Sequence, residues 1–466
     1  MRLLLIQAFL LLSLLVAHSF ALAAETDTAT DNAAAADSTA AAAEDPSLDY
    51  DQIQLDSQSS PNEDKSVTRE DVEGLKTEID VLREQWQRKL NKGTVQSTRN
   101  LNLSGNFQVR YGASGGGTGS TSTTDGFNVS QVQFGFKGNL YRDYDQGKNL
   151  DYAVSLTTDK TSFTILPNDV WLSYNILPSL DPEKPYLKVT AGQQKKPFGL
   201  EATTSDDRKP TVVGAQFASA MKLNERDIGI LVAGDLFPAN DYGFKFRVPL
   251  IEYNFMVLNG NGPIGSGNLA NADNNLDLLG RIVLNAPVEY SHPLRGLSVG
   301  ASYYYGKKIV SDKSGAIIEK RAERKRYGAD IAYVNTPIGF TYEYARAVDP
   351  VAKTVNKKSV LDDVTSDAHT FTLFYNFGEQ FVKGYVQQDR YDDWWPLSYQ
   401  PFFRFDRLTR DTSERNTHTD IYTLGFNWFF AETTKLQLNY NRTFAVVNKS
   451  YSNFDDAFIV QFQFGF

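Results

Sequence analysis

The strongest constraint on this chain is an alternation of apolar and polar residues that recurs through most of residues 101–466. In Leu101–Tyr111 large apolar groups occupy most odd positions, and polar groups occupy most even ones. Near the end of the chain, Phe462 and Phe464 alternate with Gln461 and Gln463. Alternation of this kind, repeated many times, is typical of β-strands with one apolar face.

Sixteen segments show this pattern, and an even number allows both ends of a closed antiparallel sheet to lie on one side. They lie near residues 101–111, 127–139, 149–158, 169–176, 186–194, 227–235, 243–258, 275–285, 297–306, 326–334, 338–346, 368–376, 381–389, 418–429, 435–444 and 457–466. The fold predicted for residues 95–466 is therefore all-β, an antiparallel barrel of about 16 strands.

The predicted connections alternate in length. Tight turns are expected at residues 335–337, 377–380 and 431–434. Loops of roughly twenty to thirty residues are expected after positions 194, 306, 346 and 389, as on the outer side of outer-membrane barrels. The apolar face carries Phe and Tyr at strand ends, as an interfacial aromatic belt would. These features favour a transmembrane barrel over a soluble one, whose outer face would be a large apolar patch.

The first 92 residues divide into three predicted segments. Residues 1–23 have one Arg, an apolar run and a small-residue cleavage site, which indicate a signal peptide; a retained anchor is the alternative. Residues 24–66 are rich in Ala and Asp and are expected to be disordered. Residues 67–92 place Val72, Leu75, Ile79, Leu82 and Trp86 at heptad spacing. This spacing predicts a short coiled-coil helix, or a single amphipathic helix packed on the barrel.

Composition excludes several classes of site and function. The chain has no Cys and only four scattered His, so we expect no metal site and no thiol chemistry. The net charge of −9 arises from the acidic segment, and residues 67–466 are neutral overall. A nucleic-acid partner is therefore not expected.

The motif at residues 192–201, Gly-Gln-Gln-Lys-Lys-Pro-Phe-Gly-Leu-Glu, is followed by Thr203, Thr204 and Ser205 and later by Glu225-Arg226. This arrangement resembles the phosphate-selective porin O and P family of Gram-negative outer-membrane porins. Phe426-Asn427-Trp428, Asn439-Tyr440 and the terminal Phe466 are similar to that family too. The resemblance covers about residues 95–466.

The resemblance implies a porin that is usually a homotrimer and lets small solutes, anions among them, diffuse across the outer membrane. We further expect the barrel to contact membrane lipid and lipopolysaccharide, the N-terminal segment to lie in the periplasm, and no cofactor to be bound. The solute stays open, because the family's selectivity residues cannot be transferred position by position.

Residues 195–226 are expected to form a long third loop that folds into the barrel and narrows it. Candidate binding residues of this loop are Lys195, Lys196, Arg208, Lys209 and Arg226. The alternative is that Pro197-Phe198-Gly199 is a structural bend, with Glu201 and Arg226 pairing to hold the loop. Strand phase predicts further lumen cations at Arg110, Lys137, Lys188, Lys245, Arg247, Arg281 and Lys435. Acids in the same phase, such as Asp169, Asp330 and Glu343, make the lumen mixed in charge.

The stretch 307–326 has a net charge of +5 and is interpreted as either an anion-attracting funnel or a solvated outer loop. The predicted function is a passive porin, with some preference for anions or phosphate. A structural or adhesive barrel with a periplasmic coiled coil is the alternative. An outer-membrane enzyme is disfavoured because no His has a recognisable nucleophile context.

Overall fold

The structure is a computed structural model that describes residues 101–115, 125–139, 150–158, 164–177, 185–241, 246–263, 274–289, 292–335, 337–355, 358–378, 398–414, 417–431, 433–447 and 450–465. All of these residues lie within the unit Gln85–Phe466. The signal peptide, the acidic segment and the coiled coil lie outside the described residues and stay predictions.

Sixteen antiparallel strands lie in the described part of the chain. The first eight are β1 (Leu101–Gly115), β2 (Gly126–Asn139), β3 (Leu150–Thr158), β4 (Ile165–Leu177), β5 (Leu187–Lys195), β6 (Arg226–Asp241), β7 (Phe246–Leu258) and β8 (Asp277–Asn285). The others are β9 (Leu297–Ser311), β10 (Ile317–Val334), β11 (Ile338–Val355), β12 (Lys358–Tyr375, extended by Phe377–Gly378), β13 (Ser398–Thr409), β14 (His418–Phe429), β15 (Lys435–Val447) and β16 (Ser450–Gly465). A short helix, α1 (Gln216–Ala220), lies between β5 and β6.

Each strand pairs with its neighbours in sequence, and the last strand pairs with the first. Asn106 on β1 lies opposite Gly465 on β16, and the pairing continues to Gly115 opposite Asp456. The sheet is therefore a closed barrel without a free edge. The predicted fold class is confirmed. Among the described residues, no helix is both long enough and apolar enough to cross a membrane.

The two faces of the barrel have opposite chemistry. On β16, Phe458, Phe462 and Phe464 are exposed on the outside, whereas Gln461 and Gln463 are buried on the inside. Aromatic pairs lie on the outer face, some at strand ends, such as Tyr399–Trp428 and Phe430–Phe462, and others nearer strand middles, such as Tyr303–Tyr327 and Phe405–Tyr422. Each large apolar side chain left in water would forgo about 1.5–3 kcal/mol of burial free energy, so this outer face requires lipid.

Two of the expected long loops are extensions of strands. The stretch 307–326 forms a β-hairpin in which β9 reaches Ser311 and β10 starts at Ile317. After position 346 the chain also continues as strand, since β11 ends at Val355 and β12 starts at Lys358. Beyond the lipid both faces of a hairpin meet water. The apolar–polar alternation therefore disappears although the backbone pairing continues.

Short connections are confirmed where strands end at Val334 and Phe429 and the next ones start at Ile338 and Lys435, but the turn expected at 377–380 is wrong. Phe377–Gly378 continues β12, and the next strand is β13, in which Phe402 lies opposite Phe374. A strand therefore occupies part of the expected loop 390–417, while the predicted strand 381–389 lies outside the described residues. The sequence pattern did not indicate this strand for two reasons. It contains Pro401, which is unusual inside a strand, and charged residues alternate with its Phe residues.

Candidate functional site

Residues 196–225, named here the inward loop, connect β5 to β6 and fold into the barrel. The backbone N–H of Gly199 donates to Ser302 Oγ on β9 (3.1 Å), and that of Glu201 donates to Glu343 Oε2 on β11 (2.8 Å). Further along, Gln463 Nε2 on β16 donates to Asp207 O (3.0 Å). The loop thus contacts inner-face residues on strands far from β5 and β6.

The bend that turns the loop inward is formed by Pro197, Phe198 and Gly199. Gly199 has φ +59°, and a Cβ there would collide with the carboxylate of Glu343. The Phe198 ring is fully buried against Gly328, where a side chain would also collide with it. The two glycines therefore allow loop and wall to approach closely. Pro197-Phe198-Gly199, the centre of the motif at residues 192–201, therefore forms a structural bend.

An apolar core lies inside the barrel, beneath the inward loop. The loop contributes Phe198, Phe217, Met221 and Leu223, together with three Ala residues. The wall contributes Met256, Leu258, Leu279, Tyr304, Ala345, Ala347, Ala368 and Leu408, from β7 to β13. Sequence reasoning missed this core. The sequence did contain an indication of it. Met256, Leu258 and Leu279 are apolar although strand alternation places them on the inner face, where polar residues are expected.

Polar side chains of β14 and β15 hold the next part of the loop by its backbone. Lys435 Nζ donates to Lys209 O (2.7 Å), and Gln437 Nε2 and Asn427 Nδ2 both donate to Pro210 O (3.0 and 2.9 Å). These donors satisfy carbonyl groups that would otherwise be buried without partners. Lys435, a predicted lumen cation, is on the inner face but fully buried beneath the loop.

A charged cluster ties the loop to β13. Glu201 contacts Lys209 (3.4 Å) and Arg404 (3.5 Å), and Arg404 Nη1 donates to Thr211 Oγ1 (2.7 Å). Burial alone would raise the pKa of Glu201, but Arg404 and Lys209 lower it below its ordinary value. Burial would likewise lower the pKa of Lys209, yet Glu201 and Asp206 raise it. Both groups are therefore charged at neutral pH.

The suggested ion pair between Glu201 and Arg226 is wrong. Arg226 instead forms two hydrogen bonds to Asp169 of β4, from Nε to Oδ1 (3.1 Å) and from Nη2 to Oδ2 (3.2 Å). The planar guanidinium matches the carboxylate in this geometry. Glu201 has its cations on the loop itself and on β13, across the barrel from Arg226.

Predicted cations come together on the β1–β6 side of the loop. Lys195 Nζ donates to Thr204 O (3.1 Å), and Arg110 donates to Gln461 Oε1 from Nε (3.2 Å) and Nη2 (2.9 Å). Lys195 interacts electrostatically with Arg226, and Asp206 interacts with both Lys195 and Arg110. Lys195, Arg226 and Arg110 are each only partly buried. We name these three residues with Asp169 and Asp206 the charged cluster of the pore.

Two other predicted loop cations differ in exposure. Arg208 is exposed on the loop, whereas Lys196 is buried and donates to Lys222 O (2.6 Å). Burial lowers the pKa of Lys196 to about 8, although the nearby Asp227 and Glu225 favour its charged form. The ammonium group of Lys196 thus serves a backbone contact within the loop.

The remaining predicted lumen cations are dispersed along the barrel. Arg281 pairs with Asp330 in the buried wall (2.5 Å), and Arg247 pairs with Asp235 near the β6–β7 connection (2.5 Å). Lys137 is exposed on β2 and Lys188 is half-buried on β5. Lys245 lies outside the described residues. In the β9–β10 hairpin, Arg324 pairs with Asp277 and Arg326 with Asp349 (2.5 and 2.9 Å).

A closed barrel with an apolar outer face rich in aromatic pairs and polar side chains on its inner face is an outer-membrane β-barrel of the porin class. Such a barrel forms a channel for passive diffusion across the outer membrane. The family model described as "Phosphate-selective porin O and P" matches residues 101–317 of this chain. The resemblance suggested by the 192–201 motif is thereby confirmed over those residues.

Solved structures of outer-membrane proteins share the fold. OprB of Pseudomonas putida, solved at high pH, has a TM-score of 0.50 and 10% identity, over 78% of this chain and 94% of that one. The outer membrane channel DcaP of Acinetobacter baumannii has a TM-score of 0.50 and 10% identity, over 80% of this chain and 99% of that one. No curated protein matches the sequence.

Proposed function

We propose that small solutes, with a preference for anions, pass between the inward loop and the inner faces of β1–β6. One observation carries this proposal. The partly exposed cations Lys195 and Arg226 lie opposite each other on that side of the loop, and Arg110 shares the acid Asp206 with Lys195, whereas an apolar core packs the loop against β7 to β13. Water and ions avoid an apolar core, so the charged side is the open route.

The preference for anions in this proposal is weak because acids share the same place. Arg226 is bonded to Asp169, and Asp206 faces Lys195 and Arg110. Three cations against two acids leave a small positive excess, and a mixed ring of charges discriminates less than a ring of one sign. Phosphate is the anion that the description of the matched family suggests.

The experiment is single-channel recording of the refolded full chain in a planar bilayer. The reversal potential under a KCl gradient reports the anion-to-cation ratio, and added phosphate should block chloride current. Removing one pore cation weakens an anion contact by about 1 kcal/mol in a water-filled pore, or about fivefold in that ratio. Lys195→Met and Arg226→Met should each shift the reversal potential toward cations.

Arg442→Met is the matched control, because Arg442 is exposed and paired with Asp456 outside the charged cluster of the pore. It should leave the reversal potential unchanged. The channel could instead show a large conductance without ion preference that Lys195→Met does not change. That result would contradict anion selection and indicate a general porin.

The proposal includes a homotrimer in contact with membrane lipid and lipopolysaccharide, with the N-terminal segment in the periplasm. Two arginines of the barrel lie beside aromatic rings, and each is also paired with an acid, Arg407 with Asp420 and Arg442 with Asp456. Arg407 lies over the Phe405 ring (5.5 Å) and Arg442 over the Phe444 ring (6.0 Å). Cations beside aromatic rings are typical of the interface between membrane and water. Cross-linking in native membranes would test the trimer.

The second candidate function is a structural barrel. The apolar core beneath the inward loop favours it, because this core fills part of the lumen. A folded barrel that shows no conductance in the same bilayer would support this alternative over the channel.

A further inference from the structure

One carboxyl group of the barrel wall, that of Glu343 on β11, is buried directly beneath the inward loop. The residue is 3% exposed. Its Oε2 accepts the hydrogen bond from the Glu201 N–H, while its Oε1 is buried without a hydrogen-bond partner. Among the described residues no ion pair involves Glu343. The group thus contacts the bend of the loop through one neutral donor.

The cations around Glu343 are already bonded to other acids. On β10, Asp330 lies directly opposite Glu343 and is bonded by Arg281 of β8. Above it, Glu201 of the loop is paired with Lys209 and with Arg404 of β13.

On the other side of Glu343, Thr370 of β12 lies opposite it, and Thr370 Oγ1 donates to Asp406 Oδ1 of β13 (3.1 Å). Asp406 also accepts from the Gln216 N–H (2.8 Å). Two wall acids, Asp330 and Asp406, and the loop acid Glu201 therefore lie around Glu343, which has no cation of its own.

An ionised carboxylate in such a place is strongly disfavoured, whereas a neutral carboxyl group is tolerated. We propose that neutral Glu343 holds the inward loop against the wall, and that ionisation of Glu343 releases the loop and makes the channel pH-dependent. The link to conductance rests on the proposed function, whereas the link to loop docking does not.

The direction of the effect follows from proton binding. The docked state binds one proton more at Glu343 than a released state in which water reaches the carboxylate. Docking is therefore favoured at low pH and weakens as pH rises. Because the wall is closed behind it, a released bend moves into the lumen, and conductance falls.

The first test compares the full-chain barrel with Glu343→Gln at about pH 6 and about pH 9, a window above the ordinary glutamate range. The glutamine keeps an acceptor for the Glu201 N–H but cannot ionise. The wild-type protein should lose conductance at the higher pH, and Glu343→Gln should not. Glu343→Asp retains an ionisable group and should keep the dependence, as should Asp363→Asn on an exposed part of β12.

The second test measures hydrogen exchange of the Thr204 and Glu201 amides in detergent micelles and needs no conduction. Each rate is compared between wild type and Glu343→Gln at the same pH, which removes the intrinsic pH dependence of exchange. From the ordinary glutamate range up to the pH at which docked Glu343 ionises, the wild-type excess should grow by up to about tenfold per pH unit.

The outcomes separate the two proposals. Equal exchange in the two proteins at both pH values would overturn the release of the loop, even if the channel conducts. A pH-dependent excess in a barrel that does not conduct would support the release and refute the channel. If Glu343→Gln does not fold, the test uses wild type and Glu343→Asp. Both should lose conductance at the higher pH, and a constant conductance in both would overturn the proposal.

Discussion

Truncation of Phe198 should release the inward loop without unfolding the barrel. The ring is fully buried among loop and wall residues, and the strands do not depend on it for their backbone pairing. Phe→Ala changes in packed cores cost about 3–5 kcal/mol, from lost burial and from the cavity left behind. Since about 1.4 kcal/mol is tenfold, the ratio of docked to released loop should fall roughly a hundred- to several-thousand-fold.

Native-state hydrogen exchange measures this ratio at amides bonded within the loop. The N–H of Met221 donates to Phe217 O (2.8 Å), and that of Leu223 donates to Ala218 O (2.8 Å). Both should exchange faster in Phe198→Ala by a factor in the range above, while strand amides are unaffected. Phe127→Ala is the control, because Phe127 is 82% exposed on the outer face and does not contact the loop. If the loop amides of Phe198→Ala exchange as in wild type, the apolar core does not hold the loop.

Three further predictions concern the loop and the outer face. Glu201→Gln should weaken docking by about 3–5 kcal/mol, because it leaves buried Arg404 without its ion-pair partner and removes one of the two acids paired with Lys209. The lowered pKa of Glu201 means that the contribution of Glu201 to docking is fully present above its ordinary value of 4.5 and is lost as pH falls through the lowered value, which exchange at acidic pH would measure. Gly199→Ala should loosen the same bend by at least about 1–2 kcal/mol, since φ is +59° there; an unchanged exchange rate at Thr204 would refute this. Leu424→Arg, at an outward position that is 59% exposed, should cost about 2–4 kcal/mol in denaturant unfolding from lipid vesicles, and Ile165→Arg at a strand end about 0–1 kcal/mol. Equal costs at the two positions would contradict the assigned membrane face.

Strand phase revealed the faces of the barrel but not the partner of each inner-face charge. Arg281, Arg247 and Lys435 have the same phase signal as Arg110, yet the first two are paired with acids of the wall and the third is buried under the loop. Phase depends only on neighbours in the sequence. Pairing depends on which strand lies adjacent and on where the loop rests, which no local pattern contains.

The amino-acid sequence by itself determined the closed barrel, its lipid-facing side and the inward bend of residues 192–201. These features follow from local rules, namely two-residue periodicity, backbone hydrogen bonding in lipid and the backbone freedom of Gly199. Only the tertiary structure decided that the hairpins extend past the membrane, that Glu201 pairs with Arg404 rather than Arg226, and that Glu343 lies beneath the loop. Each of these contacts joins residues far apart in sequence. Their energies depend on burial and on competing partners, and both are set only when the loop and the wall meet.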